Sequence, residues 1–148
     1  MNEVKGREFI DTNVLIYAHD RSAGEKHVLA KKKVESLWES STGCLSIQVL
    51  QEFYVNVTQK VAKPLTSGAA AKIITDLAVW EVHRPTTDNL LDAILLQERY
   101  MLSFWDAMIV TSANQLGCDI LWSEDFNSGQ QYERVQVLNP FGRGTVVS

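Results

Sequence analysis

Four acidic side chains stand where a chain in water does not ordinarily place acid. Asp11 closes the apolar pair Phe9-Ile10 and precedes Thr12-Asn13-Val14-Leu15-Ile16-Tyr17. Glu52 lies within Ser46-Ile47-Gln48-Val49-Leu50-Gln51-Glu52-Phe53-Tyr54, and Asp106 within Ser103-Phe104-Trp105-Asp106-Ala107-Met108-Ile109-Val110. Asp125 follows Ile120-Leu121-Trp122-Ser123-Glu124. Withdrawing a carboxylate from water is costly unless it is paired or bound to a metal. Several carboxylates gathered in one pocket repel each other and take up protons unless a counter-ion is present. A hard divalent cation relieves that repulsion. An all-oxygen donor set suits Mg²⁺, with Mn²⁺ as a substitute, and such sites keep coordination positions open for phosphate oxygens. His19, His27 and His83 have no zinc-ligand spacing and read as surface or helper residues.

Each acid also has a plainer role. Asp11 can cap the helix that follows it. Glu52 falls off the apolar stripe Ile47, Leu50, Tyr54, Val57 and Val61, as an exposed glutamate would. Asp106 is the third helical position after a Ser103 cap, as in a capping box. It is nevertheless set against Trp105, Ile109 and Val110. Asp125 can open the turn Asn127-Ser128-Gly129. What these roles leave unexplained is the set: two acids at strand ends and two on helix faces can converge on one cleft. In open α/β sheets, clefts at the carboxyl ends of strands hold the ligands.

The elements that would position these groups alternate between short apolar runs and longer helical patterns. That alternation predicts a mostly parallel sheet with helices on its faces. Strands are expected at 7–11, 43–46, 79–82, 119–122 and 134–138. Helices are expected at 12–18, 24–40, 46–61, 67–78, from a Thr87 cap to 100, and from a Ser103 cap to 117. Leu29, Val34, Leu37 and Trp38 would form the inner stripe of the second helix. Pro64 stops the third pattern.

With 148 residues, 45% of them hydrophobic, the chain is long enough for one full core. A net charge of −4 argues against a generic basic coat for nucleic acid but permits local phosphate contacts. No apolar run reaches the ~18 residues of a membrane span. The segment 1–7 lacks a signal-peptide core, so a cytoplasmic location is expected. Cys44 and Cys118, without metal-binding spacing, read as buried thiols.

Taken together, the four acidic segments resemble the motifs of PIN-domain nucleases. Phe9 to Tyr17 is similar to the opening motif of that family, Ser46 to Phe53 to its second and Ser103 to Val110 to its third. Ser123-Glu124-Asp125-Phe126, leading to Asn139-Pro140-Phe141, is similar to its closing motif. The resemblance implies a three-layer α/β/α sandwich and Mg²⁺- or Mn²⁺-dependent cleavage of RNA. Asp11, Glu52, Asp106 and Asp125 would be the metal-binding and catalytic acids, with Thr12, Asn13 and Ser123 supporting them. Glu124 or Asn127 could share the role of Asp125, because the family's last motif varies. Small members are often VapC-type toxins, so a small antitoxin partner and a homodimer are expected too. Residues 1–140 are expected to form one nuclease domain and 141–148 a loose tail.

Three rivals remain. An aspartyl-nucleophile phosphatase needs an aspartate where Asn13 stands. A partner- or RNA-binding module that has lost its activity would not be expected to keep all four acids. A DNA-directed nuclease of the same architecture is the third.

Overall fold

The structure, a computed structural model, describes residues 6–142. Strand β1 (Glu8–Ile10) leads through Asp11 into α1 (Thr12–Ala18), and a single 3₁₀ turn (Arg21–Ala23) leads into α2 (Glu25–Ser40). Strand β2 (Gly43–Ser46) runs straight into α3 (Ile47–Gln59), followed by α4 (Ser67–Leu77) and β3 (Glu81–His83). Next come α5 (Thr87–Tyr100), α6 (Phe104–Gln115) and β4 (Ile120–Trp122). Strands β5 (Gln131–Tyr132) and β6 (Val135–Leu138) close the chain.

The six strands form one sheet in the order β3-β2-β1-β4-β6-β5. All pairings are parallel except β5 with β6. From β1 the chain first moves outward on one side through β2 and β3. It then returns to the other side of β1 for β4 and β6. The order therefore reverses between β1 and β4, the switch point at which such sheets open a crevice. On one set of helices α1 packs with α2 and α3, and α3 with α4; in the other, α5 packs with α6, which lies on β2, β4 and β6. The result is the expected α/β/α sandwich. Parallel strands covered on both faces read as apolar runs, and Phe9, Ile10, Cys44, Leu45 and Leu121 are fully buried.

The helix starts follow the sequence closely because capping is local. Ser46, Thr66 and Ser103 each accept a hydrogen bond from the backbone three residues on. One cap moves by a residue. Thr86, not Thr87, caps α5, in a reciprocal pair with Asn89. Thr86 has the extended backbone that a cap needs.

The inner stripe of α2 is Ala30, Val34 and Leu37, while Trp38 is 40% exposed and Leu29 only half-buried. Trp38 instead meets Trp80 edge-on, with ring centroids 5.4 Å apart. The α3 stripe likewise rotates to Val49, Leu50, Phe53 and Val57. Strand β3 begins at Glu81, since Val79 lies exposed in the turn before it. The short antiparallel β5 has no sequence period of its own; it exists because β6 offers it an edge. Phe141 is not loose: it packs edge-on against Tyr17 at 5.2 Å. Residues 143–148, the rest of the expected tail, lie outside the described residues. Cys44 and Cys118 are buried free thiols. No helix among the described residues is long and apolar enough to cross a membrane.

One packing detail is testable. The ring of Trp80 lies on Gly43, where a Cβ would sit 2.4 Å from the nearest ring atom. Gly43→Ala is therefore expected to destabilise the fold by about 1–3 kcal/mol, the usual range for overpacking. Urea denaturation measures it, and an unchanged midpoint would show that Trp80 moves aside freely.

Candidate active site

Asp11 leaves β1 at the switch point. Its backbone N–H donates to the Trp122 carbonyl at 3.0 Å, extending the β1–β4 ladder by one residue. That bond sets the Asp11 side chain beside Ser123. Asp11 is 5% exposed. Its Oδ1 accepts from the Thr12 N–H at 2.7 Å, so it does cap α1. Its Oδ2 accepts from the Ser123 hydroxyl at 2.7 Å. Capping and site roles thus coincide in one carboxyl group, because its two oxygens face different ways.

Ser123, fully buried, also accepts from the Asp125 N–H at 3.1 Å. Asn13 bridges the two aspartates. Its Nδ2 donates to Asp125 Oδ2 at 3.0 Å, to Ser123 Oγ at 3.2 Å and weakly to Asp11 Oδ2 at 3.4 Å. Its Oδ1 accepts from the Glu124 N–H at 3.2 Å. Both faces of the amide are used, so its orientation is fixed by its neighbours.

Glu52 joins from α3. Its Oε1 accepts from the Thr12 hydroxyl at 2.6 Å, and its Oε2 from Gln48 Nε2 at 3.1 Å. It is half-buried rather than exposed. Asp106 comes from the first turn of α6, where its N–H donates to the Ser103 hydroxyl at 3.1 Å. It too is half-buried, but without the cover expected of Trp105, whose side chain is 61% exposed.

The electrostatics tie the four acids together. Burial pushes the Asp11 carboxyl up from 3.8 to about 7. The Ser123 and Thr12 hydrogen bonds oppose that rise, and the charges of Asp125 and Asp106 add to it. The Asp106 carboxyl is also raised, chiefly by burial, with Ser103 opposing and Asp125 and Glu52 contributing. The acids therefore act on one another through space, Asp125 and Asp106 on Asp11, and Asp125 and Glu52 on Asp106. They do not form a closed cage: among the described residues, no three His, Cys, Asp or Glu side chains lie close enough to hold an ion between them. The donor chemistry nonetheless fits a hard divalent cation. The groups are carboxylate oxygens, and the most buried of them, Asp11, has its carboxyl raised to about 7 first by burial and then by the charges of Asp125 and Asp106, a cost that a bound cation would relieve.

The residues weighed against Asp125 have other engagements. Glu124 accepts from the Tyr17 hydroxyl and from Lys26, both at 2.8 Å. Asn127 is exposed and reaches Gln130 at 3.4 Å. Of the three side chains, it is that of Asp125 that is tied through Asn13 to the Asp11 carboxyl. The histidines have structural partners: His19 the Leu15 carbonyl, His27 the Tyr17 carbonyl and His83 the Ser112 hydroxyl. Sequence reasoning passed over Gln48, although its place four residues before Glu52 on one helix would have put the two side by side. It also missed the Tyr17–Glu124–Lys26 lock, which joins residues more than 90 positions apart and has no local signal.

The PIN domain family model matches residues 9–133 of this chain. Solved structures of the same architecture include a toxin–antitoxin complex from Klebsiella pneumoniae, with TM-score 0.66 and 19% identity over 90% of this chain and 98% of that one. Mycobacterium tuberculosis VapC20, a sarcin–ricin loop cleaving toxin, gives TM-score 0.61 and 23% identity over 77% and 86%. DNA-bound VapBC from Salmonella typhimurium gives TM-score 0.63 and 13% identity over 91% and 98%. Identities this low establish the fold alone. No curated protein matches the sequence.

Proposed function

The chain belongs to the PIN-domain family, and from that footing we propose that it is a divalent-metal-dependent endoribonuclease, the toxin of a VapBC-type toxin–antitoxin pair. The observation that carries this reading is that Asp11 and Asp125, just past the ends of β1 and β4, and Asp106 and Glu52, on α6 and α3, lie near enough for their charges to act on one another at the sheet's switch point. The structural neighbours, which include toxins solved with their antitoxins, support the toxin assignment.

In this reading Asp11, Asp106 and Asp125 hold Mg²⁺ or Mn²⁺, with Glu52 as a further ligand or as the group that orients the attacking water. When bound, the ion supplies positive charge at a phosphate oxygen and makes water a better nucleophile at neutral pH. The protein's own part is positioning. Ser123 and the Thr12 N–H fix the two oxygens of Asp11 from opposite sides. Asn13 keeps Asp125 turned toward Asp11, and Thr12 holds one oxygen of Glu52. Such supporting hydrogen bonds orient ligands and hold them basic. The RNA would be reached in the cytoplasm. Exposed apolar side chains on and after α5, among them Leu91, Leu95 and Met101, support a protein partner, whether antitoxin or second copy.

The test is direct. RNA and DNA of matched sequence are incubated with the protein in Mg²⁺, in Mn²⁺ and in chelator. Metal-dependent cleavage of RNA supports the reading; cleavage confined to DNA, or none, overturns it. Metal binding has its own readout. Because an ion binds only the folded arrangement of acids, Mn²⁺ at a hundred times its Kd should stabilise the fold by about 2.7 kcal/mol. No change in the thermal midpoint at millimolar Mn²⁺ would argue against Asp11, Asp106 and Asp125 as ligands.

A further inference from the structure

Gln48, in the first turn of α3, is 8% exposed. Its Nε2 donates to Glu52 Oε2 at 3.1 Å and to the Trp105 carbonyl at 3.3 Å. The opposite amide orientation would set an oxygen against a carboxylate and a carbonyl, so the nitrogen must face them. That orientation leaves Gln48 Oε1 buried without a hydrogen-bond partner, the one such side-chain atom among the described residues. A buried acceptor without a donor lowers stability, and its retention calls for a reason.

Satisfying its two partners is not that reason. Both hydrogen bonds are only part-buried, so water can reach their surroundings. Filling space is not the reason either, because an apolar side chain of the same length would do so without the orphaned oxygen. What Gln48 alone provides is a link. Thr12 holds one oxygen of Glu52 and Gln48 the other. The same amide nitrogen reaches the backbone of Trp105, the residue before Asp106.

We propose that Gln48 is a positioning residue. It fixes the Glu52 carboxylate between itself and Thr12, and it ties α3 to the first turn of α6 so that Glu52 and Asp106 keep one separation. The inference rests on the ribonuclease reading above and deepens it. Its signature is a split between stability and turnover: the contact is kept for geometry, at the expense of an unsatisfied carbonyl. Site residues that strain the fold for function behave in this way.

The experiment compares wild type, Gln48→Met and Gln48→Glu for RNA cleavage and for urea midpoint. Gln48→Met keeps the shape and removes both the donor and the orphaned oxygen. Its midpoint is expected to equal or exceed that of wild type, while kcat falls by about 10–100-fold with KM within about twofold. Gln48→Glu keeps the shape but sets a second carboxylate against Glu52, and its kcat is expected to be no better than that of Gln48→Met. Wild-type kcat in Gln48→Met, recovery of kcat in Gln48→Glu, or a Gln48→Met that unfolds in step with its loss of activity each overturns the inference. These outcomes leave the ribonuclease reading intact as long as wild type cuts RNA. A wild-type protein that does not cut overturns both.

Discussion

Asp11→Asn is expected to lose RNA cleavage by on the order of 10³-fold or more, about 4 kcal/mol of transition-state stabilisation, while the protein stays folded. The substitution barely changes shape. It replaces one carboxylate oxygen by an amide nitrogen, which cannot bind a cation and cannot accept from both Ser123 and Thr12. Asp11 is the most buried of the four acids and lies nearest the switch point, so no other group can move into its place. Asp106→Asn should behave in the same way, since the charges of Asp125 and Glu52 act on the Asp106 carboxyl. Steady-state cleavage and far-UV circular dichroism on the same preparations measure both halves of the expectation. Wild-type-like turnover in either variant would remove these residues from the chemistry, and with them the reading of the cleft as a nuclease centre.

The second large effect is on stability and concerns the metal-free protein. The Asp11 carboxyl is lifted from 3.8 to about 7, first by burial and then by the charges of Asp125 and Asp106. Between those two values the folded protein keeps a proton that the unfolded chain has given up. Stability must therefore fall as pH rises through that window, and the loss is complete above about pH 7. The difference corresponds to about 4 kcal/mol as an order of magnitude. Asp106, raised for related reasons, contributes in the same direction. Other titrating groups act on wild type and Asp11→Asn alike, so the informative quantity is the difference between them. The variant should gain on wild type from about pH 4 to about pH 7 and then level off, whatever it loses by giving up an acceptor. Denaturation midpoints in chelator across that range measure the trend, and parallel curves would show that Asp11 is ionised in the fold at an ordinary pH. Saturating Mn²⁺ at pH 8 should reverse the order, by stabilising wild type and not the variant.

These two results bear on one physical question, whether a cleft of like charges is held by a cation. Glu52 enters it differently from Asp11. Its two oxygens are committed to side chains, those of Thr12 and Gln48, so its supports are open to separate test.

Much of the fold was legible in the sequence because its determinants are short-range. The apolar runs at Phe9-Ile10, Cys44-Leu45 and Leu121 announce buried parallel strands, since a strand covered on both faces has no polar side. Ser46, Thr66 and Ser103 begin helices because a hydroxyl accepts from a backbone N–H three residues on, wherever the helix is later packed. The motifs carrying Asp11, Glu52, Asp106 and Asp125 stood out because acid among apolar residues is costly unless it has a task. Where the sequence misled, a distant partner intervened. Trp38 looked like core and lies on the surface against Trp80, and Phe141 looked like tail and lies on Tyr17. Periodicity marks which face of a helix is apolar but not how much of that face its neighbours cover.

The residue order by itself determined which groups could do chemistry and which elements would carry them. Only the tertiary structure decided that β1 and β4 would be neighbours, although their residues lie more than 100 positions apart, and so that Ser123 would hold Asp11 and Asn13 would reach Asp125. It also decided the protonation of Asp11, because a pKa depends on burial and on charges brought near in space. The physical reason is range: caps and strand patterns arise within a few residues of chain, whereas desolvation and Coulomb repulsion act across a cleft that exists only once the sheet has assembled.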